Sequence, residues 1–227
     1  MFFEPVYFVF VVPAFLLGLW AQMRIQVAYS QAQRRPAPLS GAAAAQHILD
    51  SAGIQNVSIE AIPGQLTDHY DSRAKVLRLS QDVYQSRTLA AVGIAAHECG
   101  HAIQDAHAYG PLVVRNLIVP AAGIGSNAGM LLVILGAFLH MNAVLIWLGI
   151  GLFSCVVVFQ LVNLPVEFNA SNRAKVQLVQ LGIINEEDLV YVRKVLSAAA
   201  LTYVAATLQA IMTLLYLIMR FTGNNRN

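Results

Sequence analysis

The 227-residue chain is 57% hydrophobic and only 11% charged, too apolar for an ordinary soluble domain, in which charged residues make up about a quarter. A formal net charge of +2 and two cysteines accompany an expectation of no nucleic-acid partner and no disulfide framework. The composition is that of a membrane protein.

Four segments are apolar and long enough for a bilayer crossing, which takes about 20 residues: residues 6–23, 117–139, 143–162 and 198–219. The first contains Pro13. A cleaved signal peptide would need a basic start and a small-residue cleavage site, but Glu4 stands near the start and Gln22-Met23-Arg24 closes the segment. Residues 1–23 are therefore expected to stay as an anchor.

Residues 24–112 read as the first of two parts outside the bilayer. Arg34-Arg35-Pro36-Ala37-Pro38 is a cationic, proline-rich linker suited to anionic headgroups. Ser40 is placed to cap a helix over Gly41–Ser51 that Gly53 ends, with His47 as a surface or packing residue. Val57-Ser58-Ile59-Glu60-Ala61-Ile62 and Lys75-Val76-Leu77-Arg78-Leu79 alternate with period two and predict a small antiparallel sheet. Pro63-Gly64 and Asp71-Ser72 supply turns, and Asp68-His69-Tyr70-Asp71 reads as a loop. Thr88 to Ala96 predicts a tightly packed helix of small and apolar residues capped by Ser86 or Thr88. It is too short to span.

That helix runs into His97-Glu98-Cys99-Gly100-His101, an HExxH pattern. Two imidazoles four residues apart are turned by about 400° and share one helix face, where they can chelate one ion. Glu98, about 100° round from His97, can take a proton from water at that ion. Cys99 is turned away. A catalytic zinc takes three protein ligands, so a third is needed. His107 stands ten residues after His97, the spacing of the last histidine in HExxHxxGxxH sites, but Gln104 occupies the position of the helix-breaking glycine. A helix carried on to His107 would put it about 15 Å along the axis.

The other candidate is Glu167, in Asn163-Leu164-Pro165-Val166-Glu167-Phe168-Asn169-Ala170-Ser171. Spans two and three, joined by His140-Met141-Asn142, form a hairpin that returns this segment to the side of the histidines. Glu167 is the expected third ligand and His107 its competitor. Arg173 and His69 are candidates to stabilise the developing oxyanion, and some strand within residues 57–80 is a candidate edge for substrate backbone. Cys155, in span three, has no plausible pairing with Cys99 in a reducing compartment. The run of small residues 121–129 predicts close helix packing, and Asn127 and Gln160 single interhelical hydrogen bonds.

Cationic loops stay in the cytoplasm. Arg24, Arg34, Arg35, Arg73, Lys75, Arg78, Arg87 and Arg115 lie between spans one and two, and Arg173, Lys175, Arg193 and Lys194 between three and four. Both loops are expected inside and both termini outside, with Arg220 and Arg226 opposing weakly. The expected fold is an α-helical membrane protein with a small α+β zincin-like domain, its HExxH helix packed on a small sheet. Its parts are an anchor (1–23), a catalytic domain (24–112), a transmembrane hairpin (113–163), a helical segment with the third ligand (164–197), and a last span and tail (198–227).

Leu66-Thr67-Asp68-His69-Tyr70-Asp71, Leu77-Arg78-Leu79-Ser80, the run from Ala95 to Gln104, and Leu164 to Ser171 resemble the YugP-like neutral zinc metallopeptidases of bacterial membranes. These are distant relatives of the HtpX-like and CAAX prenyl proteases, with the gluzincin arrangement HExxH…E. The resemblance, over nearly the whole chain, implies one Zn2+ held by His97, His101 and Glu167, Glu98 as catalytic base, protein or peptide substrates, and the bacterial cytoplasmic membrane. HtpX-like relatives have an aspartate four residues after the ligand glutamate, supporting a zinc histidine, whereas this chain has Ser171. Asn169, Ser171 or Asp68 must take that part. The rival readings are an intramembrane site-2-type protease, which would need its motif on a spanning helix, and a metal sensor or silent scaffold, which would not need Glu98.

Overall fold

The computed structural model describes residues 5–139 and 141–222; Glu4, His140 and Arg226, used in the topology argument, lie outside them. Its elements are α1 (Pro5–Gln33), α2 (Gly41–Ser51), β1 (Ser58–Ile62), β2 (His69–Asp71), β3 (Val76–Ser80), α3 (Gln81–Gln85), α4 (Leu89–Ala106), α5 (Gly110–Ile124), α6 (Met130–Phe138), α7 (Ala143–Gln180) and α8 (Glu186–Thr222). A π-helical turn, Gly125–Gly129, joins α5 to α6. Among the described residues four helices are long and apolar enough to cross a membrane: Pro5–Gln33, Gly110–Phe138, Ala143–Gln180 and Glu186–Thr222. Each outruns its predicted span. α7 continues through Pro165 because a proline forfeits one backbone bond without forcing a helix to end.

The chain divides into two units, one of residues 1–20, 113–164 and 202–227, the other of 21–112 and 165–201. In the first, Val133, Ile146, Ile150, Phe153, Tyr216 and Leu217 form an apolar core, and the Tyr7 and Tyr216 rings meet edge to face at 5.1 Å. Val9, Leu117, Phe138 and Val144 are exposed, the pattern of helices whose outer solvent is lipid. Gly125, Gly129 and Gly149 sit where helices approach closely: a Cβ on Gly149 would lie 2.6 Å from the Gly129 carbonyl oxygen.

The second unit has its own core, built on Ile48, Leu49, Leu77, Leu79, Leu89, Val92, Leu178 and Val192. Ser40 caps α2 by accepting the Ala43 N–H, and Gly53 leaves it with φ +70°, a conformation that suits glycine. The three-stranded sheet has the order β1-β3-β2. β1 pairs with β3 in parallel, and β2 pairs with β3 antiparallel. The predicted antiparallel pairing of the two longer strands is thereby corrected, and the cause is geometric. The chain reverses twice between them, after Ile62 and again after Asp71, and two reversals restore the original direction. The predicted 68–71 loop instead contains β2. Asp71 closes the second turn, accepting the Arg73 and Ala74 N–H groups at 3.0 Å each and pairing with Arg78 at 2.7 Å.

The proline-rich segment is tied down rather than free. Ala37 N–H donates to the Arg87 carbonyl and Leu89 N–H to that of Arg35, while the Arg35 guanidinium lies over the Tyr191 ring at 4.6 Å. These contacts hold the start of α4, where Thr88 caps the helix through the Ala91 N–H.

Candidate metal centre

α4 lies in the core of the second unit, with Ala90, Ala91, Val92, Gly93, Ala95 and Ala96 all buried. Its small residues let other helices come close. A Cβ on Gly93 would meet the Val192 side chain at 2.9 Å, and one on Gly100 would lie 2.5 Å from the Ala170 carbonyl oxygen. Gly100 thus admits the backbone of α7 against α4 at Ala170, one residue before Ser171 and three after Glu167.

That approach assembles the site. The His97 and His101 rings lie on one face, their centroids 4.9 Å apart. Glu167 Oε2 stands 3.2 Å from His97 Nε2 and 3.6 Å from His101 Nε2. One ligand atom from each of the three residues lies within 4.8 Å of the others. Glu167 is 3% exposed, so its charge is far from bulk water and depends on what faces it. The remaining ring nitrogens are engaged from behind. Ser171 Oγ is 3.1 Å from His97 Nδ1, and Gln104 Oε1 is 3.0 Å from His101 Nδ1. Both Nε2 atoms are thus left toward the carboxylate. Two imidazole nitrogens and one buried carboxylate oxygen, each imidazole steadied on its far side, form a donor set that fits zinc.

Glu98 is buried beside this group and is no member of it. One of its carboxylate oxygens accepts the Tyr70 N–H at 3.0 Å. Burial pushes its carboxyl up to about 7, against the pull of His97 and of that N–H. Since β2 pairs with β3 on its other side, the Tyr70 N–H marks the outer edge of β2 as the edge facing Glu98. The Tyr70 hydroxyl donates to Asp105 at 2.7 Å, and Lys75 joins the same carboxylate, pinning the hairpin to α4. Burial and that carboxylate hold the Tyr70 hydroxyl well above its ordinary range.

The other candidates are not members of the three-residue group. His107 is the C-terminal cap of α4, its Nδ1 donating to the Ile103 carbonyl at 2.8 Å, and is absent from the three-residue group. Asp68 accepts the Ser80 N–H at 2.8 Å and Ser80 hydroxyl at 3.1 Å, ordering the sheet instead of supporting a histidine. His69 opens β2 and donates from Nδ1 to the Thr67 carbonyl. Arg173 Nε donates to Asn169 Oδ1 at 2.7 Å. Cys99 faces away and is fully buried, its thiol directed at the Ala45 carbonyl and pushed by burial well above its ordinary range. Gln104, Gly100 and the Tyr70 backbone went unassigned in the sequence. Gln104 alone carried a readable signal, three residues past His101 and so on its helical face.

Residues 7–222 match the family described as "Putative neutral zinc metallopeptidase". The chain is 45% identical over 224 residues to the Bacillus subtilis (strain 168) protein named "Putative membrane protease YugP", covering 97% of this chain and 99% of that one. No solved structure matches. The chain belongs to this zinc metallopeptidase family.

Proposed function

We propose that the protein is a membrane zinc endopeptidase of zincin-like design, with His97, His101 and Glu167 as the metal ligands and Glu98 as general base. The observation that carries the reading is the convergence of Glu167 on both Nε2 atoms while the neighbouring Glu98 stays outside the donor set. A zinc ion held there supplies a Lewis acid that polarises a substrate carbonyl and lets water act as a nucleophile near neutral pH.

Glu98 takes the proton of the attacking water and hands it to the departing amine. Its burial beside the three-residue group, with one oxygen on the Tyr70 N–H, suits it to both transfers. A strand of the small sheet is proposed to hold substrate backbone as an added strand, which makes recognition largely indifferent to side chains. His69, on β2, and Arg173 are proposed to face the charge developing on the carbonyl oxygen. The distribution of Lys and Arg supports a reading in which this chemistry is on the cytoplasmic face of the bacterial inner membrane with both termini outside, and the proposed substrates are proteins or peptides reaching that surface. The division into anchor, catalytic domain, hairpin, ligand-bearing segment and last span stands as part of the same proposal.

The test compares zinc content and casein cleavage for the full-length parent, Glu98→Gln and Glu167→Ala. Glu98→Gln is expected to keep its zinc while cleavage falls by about 100-fold or more, and Glu167→Ala to lose the metal. Parental cleavage by Glu98→Gln would favour a metal sensor or scaffold, and full zinc in Glu167→Ala would remove the third ligand.

A further inference from the structure

Gln104 is fully buried on α4 and has a polar partner for each end of its amide. Its Oε1 lies 3.0 Å from His101 Nδ1, while its Nε2 donates to the Val166 carbonyl at 2.8 Å and to Asn169 Oδ1 at 3.0 Å. A side-chain amide can be turned end for end, so its polarity has to be deduced from its neighbours.

The deduction starts at Arg173. A guanidinium only donates, so the Asn169 atom 2.7 Å from Arg173 Nε is the oxygen. That oxygen and the Val166 carbonyl only accept, so the Gln104 atom facing both of them is its nitrogen. The oxygen of Gln104 therefore faces His101, and the hydrogen of that imidazole must sit on Nδ1. His101 Nε2 is left with its lone pair directed toward Glu167, the form in which an imidazole binds a metal. His97 has a less determined arrangement, because the Ser171 hydroxyl at 3.1 Å both donates and accepts.

We propose that Gln104 is a positioning residue that fixes the tautomer and ring orientation of His101, its own polarity set by the relay Arg173, Asn169, Gln104. The inference rests on the zinc reading. It assigns Arg173 a role at the metal, exercised through two intervening amides from the helix that also carries Glu167. The relay joins α4 to α7, so the same bonds that orient His101 hold the two ligand-bearing helices in register.

The experiment uses metal-stripped full-length protein in detergent micelles, with zinc affinity measured by chelator competition and the site probed by the absorption spectrum of bound Co2+. Gln104→Leu fills similar volume but offers His101 no acceptor; it is expected to bind zinc about 10- to 100-fold more weakly and to alter the Co2+ spectrum. Arg173→Met, on a partly exposed side chain, should weaken binding in the same direction by a smaller factor, and it decides the matter if Gln104→Leu does not fold. Parental zinc affinity and Co2+ spectrum in folded Gln104→Leu, or in Arg173→Met, would overturn the relay. Failure of the parent itself to bind zinc would be a different result, ending the zinc reading and the inference with it.

Discussion

Two close helix approaches in this chain use the same device for different ends. In the unit of apolar spans, Gly149 faces the Gly129 carbonyl, and in the other unit Gly100 faces the Ala170 carbonyl; a methyl group added at either would lie 2.6 or 2.5 Å from a backbone oxygen. Around Gly149 the neighbours are apolar, Val133 among them, and the contact contributes packing alone. Around Gly100 the approach carries Glu167, Ser171 and Val166 to the imidazoles and to Gln104. Identical crowding at the two places should therefore have different consequences. In the first, an added methyl group strains a core; in the second, it separates Glu167 from the two imidazoles.

The largest effect is expected from Gly100→Ala. Because the obstacle is backbone, α7 must shift, and a displacement on the order of 1 Å in a site of this kind lowers activity by about 100-fold. Casein cleavage and zinc content should fall together while helix content by circular dichroism is kept. Gly149→Ala, the matched control, is expected to lower stability by about 1–3 kcal/mol through overpacking, read as a lower melting temperature, with zinc per folded chain unchanged. Equal loss of zinc from both variants would erase the contrast.

The smallest effect sharpens the role of the β2–β3 hairpin. The Ala74 N–H, with Arg78 and the Arg73 N–H, holds the Asp71 carboxyl down at about 2. The folded value lies below the unfolded one near 3.9, so the stabilisation is present above about pH 4 and is lost as pH falls through 2. The carboxylate is partly solvated, which limits its worth to about 1 kcal/mol or less. Melting curves between pH 5 and 2 should be flatter for Asp71→Asn than for the parent, and parallel curves would deny the turn its ionic part.

Local signals were legible where the responsible atoms are near in sequence. Ser40 caps Gly41–Ser51 because a cap needs only its own first turn, and His97 with His101 shares a face because helical periodicity decides it. The two longer strands were legible from alternation, but their parallel pairing was not. Three residues, His69 to Asp71, are too few to announce a strand, yet they determine which strand pairs with which. The proximity of Gly100 to Ala170 joins positions far apart in sequence, and nothing local announces which of Gly93 and Gly100 in α4 meets a neighbouring backbone. Gln104 was legible as a neighbour of His101 on one helical face, but its worth depends on Val166 and Asn169 on another helix.

The burial of Cys99 has a practical consequence. Its thiol, enclosed in the core and directed at the Ala45 carbonyl, is held in the unreactive protonated form. An alkylating reagent can reach it only when that core opens, so its rate of modification, followed peptide by peptide after digestion, is a clock for local unfolding around α4. That clock stands one residue from Glu98 and can be read without a substitution.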